Sequence, residues 1–219
     1  MRCTLASVLL VVASPVAAVA QQGAVMLHVT PYQDTIDPCV LAPTSAGDIV
    51  TEGQSGEGGN YFVYLLATSN SSLGVAGIRA GIEYSATAKG GKGIVVHDWT
   101  PCSLLYFPSD TWPASGSGNT ITWAPQDCPH TNLVAGGYFY VTAYSPSTMS
   151  IVGYPSTGEV QVADCQVNIV DAVPLDPVRL GWVTLEEAGG CNPLVEPCDK
   201  PVATEPATWG GIKTRFPNP

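Results

Sequence analysis

Apolar and polar positions alternate along this chain with a period near two, in short runs separated by turn-forming residues. That is the pattern of half-buried strands. Ala24 to Thr30 (AVMLHVT) opens the series. Tyr61 to Thr68 (YFVYLLAT) is apolar at nearly every position and reads as a central strand covered on both faces. Val75 to Tyr84 carries glycines that mark a bulge or a close backbone approach. Gly93 to Trp99, Asn119 to Ala124, Gly137 to Tyr144, Glu159 to Asp164 and Arg179 to Leu185 complete the set. Breakers lie between them at 55–59 (SGEGG), 89–93 (KGGKG) and 113–118 (PASGSG). No segment holds a helical period over three turns. The expected fold is all-β: an antiparallel β-sandwich, immunoglobulin-like or of a related type, with about eight or nine strands.

The two ends break the pattern. Arg2, the apolar run Leu5 to Val12 and the small-residue exit Ala18-Val19-Ala20 have the order that a signal peptidase reads. The apolar run is too short to span a bilayer, which needs about 20 such residues. Residues 1–20 are therefore expected to be a cleaved leader, 21–198 a single domain, and 199–219 a Pro/Thr-rich linker and tail. In that tail Trp209, Ile212 and Phe216 are spaced three and four apart, with Lys213 and Arg215 among them. Such a cationic amphipathic cluster suits a sorting or attachment tag.

Composition supports export and narrows the partners. Only 12% of residues are charged, while 23 are glycine and 19 proline. Eight Lys and Arg face 18 Asp and Glu, a formal charge of −10. A surface of that sign repels nucleic acid and anionic lipid. Cys3 leaves with the leader, so Cys39, Cys102, Cys128, Cys165, Cys191 and Cys198 remain, an even number that points to disulfides in an oxidising compartment. Many pairings are open. The expected ones are Cys102–Cys128 across one loop-rich excursion, Cys191–Cys198 across a short Pro-containing loop, and Cys39–Cys165 as a long-range staple.

Catalytic constellations are missing from the sequence. Gly53-Gln54-Ser55-Gly56 and Gly116-Ser117-Gly118 lack the spacing of a nucleophile elbow. His28, His97 and His130 lie far apart, and His97 and Asp98 are neighbours on a strand, whose side chains point to opposite faces. Glu83, Asp98 and Glu159 are carboxylates that no motif pairs. The chain is read as a non-enzyme without a bound organic cofactor. Calcium is the metal whose ligand chemistry fits best, through the turn-located Asp34 with Asp37 and Asp171 with Asp176. For ligand contact the candidates are Trp112, in the turn-rich FPSDTWPASGSGN, and Tyr138 and Tyr140. Exposed, flat aromatic rings on a β-scaffold stack on sugar rings, as carbohydrate-binding modules use them. The function expected is a secreted or cell-surface structural or adhesive protein, with a glycan or a surface protein as its partner. A carbohydrate-binding module is the alternative, and a glycoside hydrolase the third reading.

Two resemblances add to this. The stretch GVAGIRAGIEYSATAKGGKGIVVHDW, from Gly74, resembles the early strands of cohesin modules, and NLVAGGYFYVTAY with STMSIVG is similar to their later strands. That resemblance implies a jelly-roll sandwich that binds partner modules and catalyses nothing. The Cys102 to Trp123 core (CSLLYFP with WPASGSGNTITW), the Asn192-Pro193 to Pro197-Cys198 segment and the Thr208 to Phe216 ending are similar to uncharacterised exported bacterial proteins.

Overall fold

The computed structural model describes residues 23–34, 37–56, 58–69, 73–87, 91–103, 105–165 and 173–198. The segment 1–20 expected to be a leader and the segment 199–219 expected to be a tail, with Trp209, Ile212, Lys213 and Phe216, lie outside the described residues, as does Asp171. Among the described residues twelve strands occur in chain order: β1 (Ala24–Pro31), β2 (Glu52–Gly53), β3 (Gly59–Thr68), β4 (Gly77–Tyr84), β5 (Ile94–Pro101), β6 (Leu105–Pro108), β7 (Gly118–Thr122), β8 (Val134–Ala143), β9 (Ser147–Val152), β10 (Gln161–Ala163), β11 (Val173–Pro174) and β12 (Trp182–Leu185). Every run expected from the alternation is present. β2, β6, β9 and β11 are additional: β2 and β11 are two residues each, β6 is exposed along its length, and β9 (STMSIV) alternates but enters the sequence reading only through the cohesin resemblance. No helix here is long and apolar enough to cross a membrane.

These strands form two sheets. One is four-stranded and antiparallel, in the order β1-β3-β8-β5. The other runs β11-β10-β4-β9-β12-β2, with β7 on the free side of β4 and β6 outside β7. Its single parallel pair is β12 with β2. Val25, Leu27, Val63, Leu65, Phe139 and Val141 of the first sheet meet Ile78, Ile82, Ile121, Met149, Ile151 and Leu185 of the second in one core. Burying each such side chain contributes about 1.5–3 kcal/mol. The outcome is a disulfide-stapled, all-β sandwich.

The four-stranded sheet is also apolar on its outer face, as the unbroken YFVYLLAT run requires. Met26, Phe62, Tyr64, Leu66 and Leu133 form a second cluster there, under Ala42, Ile49 and Leu194. His28 lies on this face as well, buried beside Tyr64. The turn carrying Pro38 is held down by the Tyr64 hydroxyl, which donates to the Pro38 carbonyl at 3.0 Å.

Two bulges tune which residues face inward. Between Val96 and Asp98 the β5–β8 register shifts, so that Val96 and Trp99, three residues apart, both pack against the inter-sheet core. A second shift lies at Leu65/Leu66 against the Gly136-Gly137 pair of β8. A Cβ at Gly137 would come within 2.6 Å of the Trp99 ring, so glycine is what lets that ring lie on the backbone.

The disulfides correct two expected pairings. The bonds are Cys39–Cys102, Cys128–Cys165 and Cys191–Cys198. Cys102 and Cys128 do not pair because the excursion between them changes sheets. Cys102 follows β5 in the four-stranded sheet, where its N–H donates to Gly136 of β8. Cys128 follows β7 in the other sheet and meets Cys165, just past β10. Cys39 thus fastens the turn over the outer aromatic face to the end of β5.

Candidate functional site

Period-two alternation in β8 sends Phe139 into the core and Tyr138 and Tyr140 outward. Register then supplies their neighbours. Phe62 of β3 stands opposite Tyr140, and Tyr64 opposite Tyr138. Tyr32, just beyond β1, lies over both Phe62 and Tyr140, at ring separations of 5.1 and 5.2 Å. The bulged His97 of β5 stacks on the other side of Tyr140 at 4.8 Å. Phe62 meets Tyr138 edge-on at 5.1 Å and 74°. The result is one connected aromatic surface across all four strands, built from side chains tens of residues apart in sequence.

This surface is open to solvent at one end. Tyr32 is 45% exposed, His97 is exposed, and Tyr138 and Tyr140 are half-buried. Among the described residues no hydrogen bond engages the hydroxyls of Tyr32, Tyr138 or Tyr140, which leaves them to solvent or a partner. A polar chain runs beside the rings: His97 Nε2 contacts Thr142 Oγ1 at 2.7 Å, and that hydroxyl lies 2.6 Å from Asn60 Oδ1. It holds the His97 ring against Tyr140.

Trp112 is elsewhere, and packed. Its ring meets Trp99 edge-on at 5.2 Å and 82° and Phe139 at 5.4 Å, and its Nε1 is buried. The turn-rich segment folds back over the open end of the sandwich instead of displaying the ring, because the inter-sheet core offers it more apolar area than solvent does. Of the three candidate aromatics the structure therefore brings Tyr138 and Tyr140 together and separates Trp112 from them. Sequence reading missed Tyr32, Phe62 and His97. The alternation at Phe62 and Tyr64 was a usable signal, but only register shows which neighbours they meet.

The sandwich is similar to cohesin modules. A cohesin module from a family 33 glycoside hydrolase of Clostridium perfringens matches with 10% identity over 75% of this chain and 96% of its own, at a TM-score of 0.44. A type II cohesin domain from the cellulosome of Acetivibrio cellulolyticus matches with 9% identity over 75% and 95%, at 0.43. A cohesin–dockerin complex from Clostridium thermocellum matches with 13% identity over 62% and 89%, at 0.42. No protein-family model matches the chain, and no curated protein does.

The remaining candidates hold structural positions. Asp37 accepts from the Cys39 N–H at 3.0 Å, and Asp176 from the Val178 N–H at 3.1 Å. Both carboxylates cap their own turns, the usual employment of aspartate at such places. Asp34 is exposed on the segment after β1. Among the described residues no three His, Cys, Asp or Glu side chains come together as a metal site would need.

Each histidine has a local partner. His28 Nδ1 accepts from the Val50 N–H at 2.8 Å, and burial lowers its pKa to about 4. It is a neutral core residue at ordinary pH. His130 Nδ1 contacts the Leu73 carbonyl at 3.0 Å.

Proposed function

We propose that this chain is a non-catalytic exported binding module, structural or adhesive in role, that presents the outer face of its four-stranded sheet to a protein partner. The connected surface of Tyr32, Phe62, Tyr138, Tyr140 and His97 carries the reading. Tyrosines with packed rings and unengaged hydroxyls are the side chains that protein interfaces favour, since they offer large area at low entropic cost.

Ring geometry favours protein over polysaccharide. A sugar chain stacks on rings that lie flat and side by side. Here Tyr32 and Tyr140 are inclined at 44°, and Phe62 and Tyr138 at 74°, which suits an irregular protein surface. Three disulfides accord with an oxidising, extracellular setting.

The partner class is tested by binding the purified domain to intact cells of the source organism, untreated, protease-treated or periodate-treated. Saturable binding lost after protease and kept after periodate is expected. The opposite pattern would replace the protein partner by a glycan.

A further inference from the structure

The opposite sheet carries a second feature that the aromatic face does not explain. On the outer surface of β4, register aligns Gln161, Arg79 and Thr120 in one row and Ala163, Gly77 and Thr122 in the next. Gly77 has no side chain and its flanking neighbours are small, so a depression of about 230 Å³ opens over it, with Arg79 at its rim. Thr122 is turned toward the backbone, its hydroxyl donating to the Ala76 carbonyl at 3.0 Å.

Arg79 is fixed in place yet unsatisfied. Its guanidinium lies over the Tyr154 ring at 4.4 Å. Tyr154 is itself seated by a built contact: a Cβ at Gly118 would fall 2.6 Å from both Tyr154 Cδ2 and Pro155 Cδ, so only glycine at 118 lets that loop lie on β7. Among the described residues no hydrogen bond or ion pair engages the guanidinium, and its Nε is buried without a partner. A desolvated donor left unpaired is costly, more so on a charged group. A stacked, pre-oriented guanidinium presents the donor fork that matches a carboxylate. The chain is net acidic at −10, so a local cation of this kind selects for a single carboxylate and against a polyanion.

We infer that the Gly77–Arg79 depression is a carboxylate-binding site, which receives an acidic side chain of a partner protein and pairs it with Arg79. Thr120 and Gln161 flank Arg79 in the same row; the Gln161 amide already donates to Glu159 Oε2 at 3.0 Å, so Thr120 is the neighbour left to hydrogen-bond the incoming carboxylate. The site lies on the sheet away from the Tyr32–Tyr140 surface, and each can fail without the other.

The test is an NMR titration of the intact domain at low salt with the blocked tripeptide acetyl-Ala-Glu-Ala-amide. Parallel titrations use acetyl-Ala-Gln-Ala-amide and galacturonate. Saturable shifts are expected at the Arg79 Nε–H and Tyr154 ring signals. The glutamine peptide should bind about tenfold more weakly, the difference between a charge-assisted and a neutral hydrogen bond. Arg79→Gln should abolish the shifts, and Arg79→Lys, which keeps charge but loses the fork, should weaken them, both with otherwise native spectra. A Tyr154→Leu variant should also weaken binding by releasing the guanidinium. Absence of shifts, equal response to the glutamine peptide, binding of galacturonate in place of the peptide, or undiminished binding by Arg79→Gln would each overturn the site.

Discussion

Trp112 meets Trp99 edge-to-face, their ring centroids 5.2 Å apart and their planes at 82°, and together they close one end of the inter-sheet core over Phe139. A residue in a glycine-rich loop is thereby part of the packing. Trp112→Ala should lower stability by about 3 kcal/mol through lost burial and the cavity left beside Trp99. It should leave partner binding at the Tyr32–Tyr140 face unchanged. Chemical denaturation and a binding assay on the same variant check both halves.

His28 links stability to acid. Its folded pKa, lowered to about 4 chiefly by burial, sits below the ordinary 6.5. Below 6.5 the unfolded chain takes up a proton that the folded chain refuses, so stability falls with pH from 6.5 to about 4 and then levels off. The loss from this one group is about 3 kcal/mol. His28→Gln keeps an acceptor for the Val50 N–H and does not titrate. Denaturation midpoints for the two proteins should therefore converge as pH falls through that window, whereas parallel curves would exclude His28 as the cause.

Glu186 combines a strained backbone with a full set of bonds. Its φ is 60°, the one positive value at a non-glycine among the described residues. Its carboxylate accepts from the Gly56 N–H at 3.0 Å and from the buried Tyr61 hydroxyl. The loop between β2 and β3 is pinned by these contacts. Glu186→Ala loses the bonds and keeps the strain, and should cost about 2–3 kcal/mol. Glu186→Gly loses the same bonds but relaxes the backbone, so it should cost about 1 kcal/mol less. Thermal unfolding of the pair gives the comparison.

How much of this was legible depends on the range of the interaction. Strands such as β1, β3 and β8 show in the sequence because alternation is local, and Tyr138 and Tyr140 could be placed on one face by the same rule. β6 was hidden, since Leu105, Tyr106 and Phe107 are all exposed and run into a proline. The bulge that turns Trp99 inward leaves no mark in GIVVHDW. The pairing of Cys39 with Cys102 depends on which sheet each end of the Cys102–Cys128 excursion joins, a tertiary fact. The meeting of Tyr32, Phe62 and His97 around Tyr140 likewise depends on register, which sets partners that no local pattern encodes.

The central claim is that the outer face of the four-stranded sheet is the binding surface. It is tested most directly by the double variant Tyr32→Ser/Tyr140→Ser, with its fold verified by an unchanged near-native thermal transition and backbone spectrum. In the cell-binding assay its affinity should fall at least about tenfold, as the loss of two central aromatic contacts implies. Binding equal to that of the unaltered domain would contradict the account and move the partner to another surface.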